Sequence, residues 1–419
     1  MTSIFKPWVI CTFIFCTNLF GIFNVLHVRK ELFILSSTIL VLWFLYDLSK
    51  NRIIGMSNLT LILWGLILLM AMTKYLILGS LNWVIYYFIT FLAIILIYNQ
   101  SNDVIDRIIK LWIKLSTLFS ALVIVQFILY LFDPSIFIHS SIYYDSASHF
   151  NNVTILTSIG YLGQFNMGAI NTIMNTIEIP RFYSFAPEPS ALVMQFLIPA
   201  LLAFTYRGVY IFYSSILLFT IIILTSSGTT FLTLAIGLQL FMILNVVKFI
   251  RVKGSLSLWM ITSILMFQAV YFLSVSNFSF ISEYAFSMIK FSSIFVSQEE
   301  SYFLRTLGIM DSISIIMQNP FGSSDYGTTA TGSIISIGVS FGIIGLIIGV
   351  IIYYRTFIIY FNAFFRTNTI LGGLGIAIII GALFQSAIFS GYEWMSGGGF
   401  IVLLLLHVKG NMINSKENI

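Results

Sequence analysis

Charge is what this sequence has least of. Only 8% of its 419 residues are Asp, Glu, Lys or Arg, while 59% are hydrophobic and 16% aromatic. A water-soluble surface needs roughly a quarter of its residues charged. A soluble globular domain is therefore excluded, and a polytopic membrane protein is indicated. Cysteine is nearly absent too. Cys11 and Cys16 both fall in the first hydrophobic run, so no disulfide framework and no cysteine metal motif is present. Histidine is scarce, and His139 and His149, flanking Asp145, suit surface or sugar-facing positions better than a metal site. The net charge of +5 is scattered through short loops, which excludes a nucleic-acid patch. Lys6 precedes an apolar run with no small-residue cleavage site, so the first segment reads as a retained helix.

What the sequence has instead is apolar runs. A helix needs about 20 apolar residues to cross a bilayer. Such runs lie near 8–25, 32–48, 58–79, 83–98, 111–132, 189–206, 209–226, 229–249, 255–275, 332–354, 370–389 and 394–408, the last one short. The expected fold is all-α, with about twelve transmembrane helices and two long loops on the outer face. Helices one to five occupy 1–132, a first loop 133–188, helices six to nine 189–275, a second loop 276–331, and helices ten to twelve with a short tail 332–419. With both termini cytoplasmic, fourteen Lys and Arg residues fall inside and five outside, which obeys the positive-inside rule despite Arg29-Lys30. Both long loops then face outward.

Those loops are rich in acids, so their arginines ask for a reason. Arg181 is the only basic residue of the first loop, within Arg181-Phe-Tyr-Ser-Phe-Ala-Pro-Glu-Pro-Ser190. Pro189 suits the first turn of a helix, and Ala191 to Tyr206 would then run into the membrane. Free N–H groups, the positive end of the helix dipole and Arg181 would converge on a phosphate. The plainer alternative is an Arg181–Glu188 pair that pins the loop. In the second loop, Ser301, Arg305, Gly308 and Ser312 share one face of a helix at or in the interface. Asn319-Pro-Phe-Gly322 ends that helix, and a hydroxyl-rich stretch with Asp325 and Tyr326 follows. Arg305 is otherwise an interfacial anchor that snorkels to lipid phosphates. Two arginines from distant loops make a natural diphosphate clamp, because guanidinium binds phosphate as a fork. Glu188 is either a general base on a sugar hydroxyl or the partner that orients Arg181.

Other features have simpler readings. Lys74, near the outer end of the third run, reads as a snorkelling lysine with a lesser option of touching a lipid phosphate. His407, beside Lys409, reads as a cytoplasmic interface residue. Tyr143, Tyr144, Phe150, Tyr161 and Phe165 are an interfacial aromatic belt or a sugar-stacking set. Gly338, Gly342, Gly345 and Gly349 give small-xxx-small spacings, which let packed helices approach closely. Ser226-Ser-Gly-Thr-Thr230 is a polar break of small residues, for close packing or for a lipid head group.

Arg181-Phe-Tyr-Ser184 with Glu188-Pro-Ser190, and Arg305 followed sixteen residues before Gly322 by Asn319-Pro-Phe-Gly322, form a pattern. With Gly338-Val-Ser-Phe-Gly-Ile-Ile-Gly345 it resembles the Wzy-type polysaccharide polymerases within the O-antigen polymerase and ligase group. The ligases of that group rely on a histidine in the second outer loop, and 276–331 has none. The resemblance implies a GT-C-like glycosyltransferase of the bacterial inner membrane that joins undecaprenyl-diphosphate-linked oligosaccharide units. It implies Arg181, Glu188 and Arg305 as catalytic residues. Ser184, Ser190, Ser301, Asn319, Gly322, Asp325 and Tyr326 would bind substrate. No metal or cofactor is implied. Membrane lipids, a chain-length regulator and a flippase are the implied neighbours; a ligase or a flippase is the alternative function.

Overall fold

A computed structural model describes residues 5–18, 29–50, 59–132, 138–140, 155–157, 164–173, 177–182, 193–206, 208–225, 228–253, 311–323, 333–367, 369–388 and 397–415. The expected run at 255–275 lies outside them. Helix dominates, as it must where lipid offers the backbone no partner and each segment has to satisfy its own N–H and C=O groups. The first five helices are α1 (Phe5–Asn18), α2 (Arg29–Ser49), α3 (Leu59–Ile77), α4 (Leu81–Tyr98) and α5 (Asn102–Phe132). A π-helical turn, Val193–Leu197, leads into α6 (Ile198–Ala203), and α7 (Val209–Phe219) runs out through a second π turn, Thr220–Thr225. Next come α8 (Gly228–Lys253) and α9 (311–318). The last three are α10 (Ser333–Arg366), α11 (Ile370–Ile388) and α12 (Gly397–Ser415).

Among the described residues, five stretches are long and apolar enough to cross a membrane: Leu32–Ser49, Leu81–Tyr98, Asn102–Leu129, Ser333–Arg366 and Ile370–Ala387. Their outward faces carry bare aliphatic side chains such as Leu42, Leu45 and Leu118, each more than half exposed. Water would not tolerate so many; lipid would. The run at 189–206 is helical only over 193–203 within the described residues, too short alone to span about 30 Å.

Helix α12, the shortest of the expected spans, lies at the centre. Phe400 to Leu406 are all buried, and α12 packs against α1, α4, α5 and α10. Trp64 of α3 meets Phe400 edge-on at 5.2 Å between ring centroids. Two helix backbones approach closely between α8 and α11. A Cβ on Gly381 would stand 2.9 Å from Gly237 N, and one on Gly237 only 2.5 Å from Ile378 Cα. Gly237→Ala is expected to cost about 1–3 kcal/mol by overpacking, read as a lower melting temperature in detergent. An unchanged melt would show that the two helices slide apart freely.

The all-α expectation needs one correction. Segment 138–182, expected as loop, holds a four-stranded antiparallel meander in the order β1 (Ile138–Ser140), β2 (Ile155–Thr157), β3 (Gln164–Ile173), β4 (Ile177–Phe182). Its strands are rich in Ile, Thr and Phe, side chains that suit a pleated surface. Asn166 pairs with Arg181 and Ile170 with Pro180, so 167–169 bulge out of β3 opposite one peptide of β4. Pro180 has no N–H to donate there, which is where a ladder tolerates a bulge.

Candidate functional site

Two arms of the expected site are partly visible. Arg181 is in a strand, not a loop. Its Cα pairs with Asn166, and β4 borders both the second π turn and α5. The two π turns touch each other and α5. A π turn carries an extra residue within a helix and often marks a functional site. Here hydroxyls tie this region together: Ser120 and Thr220 share a hydrogen bond of 2.6 Å, and Ser214 Oγ donates to Ala200 O at 2.8 Å. Glu188, Ser184 and Ser190 lie outside the described residues, as do Arg305, Ser301, Asp325 and Tyr326.

The second arm rests on a break in α10. Gly342 has φ 68° and ψ −161° inside that helix. On a straight helix Ile337 and Gly349 would be about 18 Å apart, and Ser333 and Tyr353 about 30 Å. Instead a Cβ on Gly349 would lie 3.3 Å from Ile337 Cδ1, and the Ser333 and Tyr353 hydroxyls hydrogen-bond each other. The segment 333–341 therefore folds back along 343–353 as a helical hairpin with its apex at Gly342. This corrects the expectation for three of the four glycines. Gly342 makes the turn, while Gly345 and Gly349 admit the returning limb rather than another helix.

A broken helix leaves orphan backbone groups that lipid cannot satisfy. The Asn319-Pro-Phe-Gly322 turn supplies partners. Asn319 N donates to Ile315 O at 2.8 Å and closes α9, and Gly322 N donates to Asn319 O at 2.9 Å. Ser323 N then donates to Val339 O at 2.9 Å, and Ile343 N donates to Pro320 O at 3.0 Å. Gly322, at φ +100°, has no room for a side chain, since a Cβ would lie 2.4 Å from Ser340 O. Asn319 and Gly322 are thus placed in this junction. Asn319 is exposed, and its Nδ2 donates to Ile315 O. Beneath the turn, Ser312 and Ile316 are buried and Ile316 packs on Gly338, while Ile313, Met317 and Phe321 form an exposed apolar line. Of the expected interfacial helix, 301–310 lie outside the described residues and 311–318 are helical.

Lys74 is the residue whose role the sequence understated. From α3 its Nζ donates to Ser323 O and to Ser340 O, the latter at 3.1 Å, and lies 5.8 Å from the Phe341 ring centroid. It reaches into the protein and joins the turn to the hairpin. Its signal in the sequence is its isolation, a single cation within an apolar run.

A second charged group, half-buried, lies on α5. Asp106 of α5 accepts from Tyr206 OH at 2.6 Å, Lys409 Nζ at 3.0 Å and Lys110 Nζ at 2.6 Å. The Lys409 side chain is only 5% exposed. His407 is also buried, with Nδ1 3.3 Å from Thr356 Oγ1. The expected interface role for His407 is therefore replaced by a packed one. Lys6 and Asp47 form a further buried pair at 3.6 Å, with Trp43 Nε1 donating to Asp47 at 2.7 Å. Among the described residues no group of three or more His, Cys, Asp or Glu is gathered that would hold a metal.

Below the hairpin, Ser333 Oγ donates to Ser386 O at 2.8 Å, beside a cavity of about 10 Å³ also lined by Trp64, Ile337, Tyr353 and Phe400. That volume accommodates about one water molecule. Chemically, the described residues offer a backbone-rich junction held by one ammonium and, on a different element, the strand in which Arg181 lies. No protein-family model, no curated protein and no solved structure matches this chain.

Proposed function

We propose that this chain is a multi-pass protein of the bacterial inner (cytoplasmic) membrane, with about twelve transmembrane helices and two long outer-face loops. Its proposed activity joins undecaprenyl-diphosphate-linked oligosaccharide units into O-antigen, capsule or other exopolysaccharide. The observation that carries the reading is the seating of Asn319-Pro-Phe-Gly322 in the α10 break. It gives the second motif of the resemblance a reason to have its residue types. Arg181 and Arg305 would hold the leaving diphosphate, and a charge that develops on leaving is where fixed donors help most. Glu188 would act as base or as orienter of Arg181.

Purified protein incubated with the host's lipid-linked repeat unit is expected to yield a ladder that steps by one repeat. Arg181→Lys and Arg305→Lys keep the charge but lose the fork. Each is expected to reduce the ladder by on the order of a hundredfold, the effect of losing one well-placed donor. Full-length ladders from both variants would remove the clamp. A single unchanged band from the parent protein would remove the polymerase reading, and a lipid A acceptor in the same tube would reveal a ligase.

One observation favours a second reading, transport of the same lipid-linked sugar. Transporters use discontinuous helices inside the membrane, and 333–341 is such a half-helix. Movement of labelled lipid across proteoliposomes without any ladder would select it.

A further inference from the structure

We propose that Lys74 is a tethered cation that latches the α10 hairpin onto α3 and so positions the Asn319–Gly322 turn. The functional consequence rests on the polymerase reading, but the latch itself does not.

The half-helix 333–341 ends at Gly342, where its last carbonyls point out of the helix and carry the negative end of its dipole. Two of those carbonyls have visible partners. Val339 O accepts from Ser323 N, and Ser340 O accepts from Lys74 Nζ. The same ammonium also donates to Ser323 O. One cation thus bridges the turn and the hairpin apex, two segments that meet only because the chain doubles back. A cation suits that place for a physical reason, since converging carbonyls and a helix C-terminus both favour positive charge. Lysine suits it better than a free ion because its four-carbon stem lies along an apolar helix and delivers the charge without a search. Lys74 touches backbone oxygens, so it acts on the site through the turn; it is a positioning residue.

The test is a distance measured between two spin labels, placed at Ile77 and Phe321, which are 79% and 89% exposed. Each is changed to cysteine in full-length protein whose Cys11 and Cys16 are alanine. With Lys74 present a single narrow distance is expected. Lys74→Met should lose that narrow peak to a longer, broader distribution, and Lys74→Arg should retain it. In Lys74→Ala, added ethylammonium should bring the narrow peak back, because a small amine can occupy the vacated carbonyls. A Lys74→Met distribution identical to that of the parent overturns the latch. So does a peak lost in every variant and not restored by the amine, since the substitution rather than the missing charge would then be at fault. The ladder assay reports separately. A parent protein without a ladder removes the polymerase reading and leaves the distance result standing. A ladder unchanged by Lys74→Met overturns the positioning of the turn.

Discussion

Gly342→Val is expected to be among the most damaging single changes in the described structure. A side chain there meets two costs at once. The backbone, at φ 68° and ψ −161°, lies in a region open essentially only to glycine, which costs a residue with a Cβ about 1–3 kcal/mol. The new Cβ would also stand 2.0 Å from Pro320 O and 2.5 Å from Pro320 C, within the turn that satisfies the broken helix. Displacing that backbone adds about 1–3 kcal/mol of overpacking and frees Ile343 N and Val339 O from their partners. Together the loss is on the order of 3 kcal/mol or more, a fall of at least about 5 °C in melting temperature. Gly349→Ala is the control. Its nearest neighbour is the flexible end of Ile337 at 3.3 Å, so a small effect of either sign is expected. Equal melts for the two variants would mean that α10 runs straight through Gly342, and the hairpin would be wrong.

The second large effect is expected at Asp106. Its carboxylate faces a buried ammonium, Lys409, whose side chain is 5% exposed, and a more exposed one, Lys110, at 37%. Removing one partner of a buried pair costs about 3–5 kcal/mol, because the charge left behind keeps its desolvation penalty. Asp106→Ala should therefore lower the melting temperature strongly, and Lys110→Ala should cost no more than about 1 kcal/mol. The double variant Asp106→Leu/Lys409→Met removes both buried charges, and it should regain much of the single-variant loss. A double variant as unstable as the sum of its parts would show that the cluster works through packing alone. The cluster joins α5, the turn after α6 and α12, so its loss removes one tie between the central helix and α5.

The helices were legible because hydropathy reports on a strict requirement. In lipid an apolar run has to be helical, so the runs near 32–48, 83–98, 111–132 and 370–389 reappear as α2, α4, α5 and α11. The meander was less legible, although Ile177-Glu-Ile shows the alternation of a strand. Its aromatic and polar content reads equally as a loop, and strand pairing is decided by partners distant in the chain. The catalytic and substrate-binding residues expected from the resemblance are legible only as motifs. Of its members, Arg181 is placed by its backbone, and Asn319 and Gly322 are placed fully.

What the sequence by itself determined is the solvent of this protein, the positions of most helices and the isolation of Lys74 and Arg181 among uncharged or acidic neighbours. Each of these is local, a matter of composition or of a run. The tertiary structure alone decided which glycine turns and which one packs. Gly342 and Gly349 sit in the same spacing and have the same side chain, and glycine serves a close approach and a turn at positive φ equally well. Only the arrival of Pro320 O at 3.0 Å from Ile343 N separates the two uses. In the same way Lys74 reads as a snorkelling lysine until one carbonyl from the folded-back helix and one from the turn reach its ammonium, and Asp106 gains its partner only when α12 brings Lys409 to it.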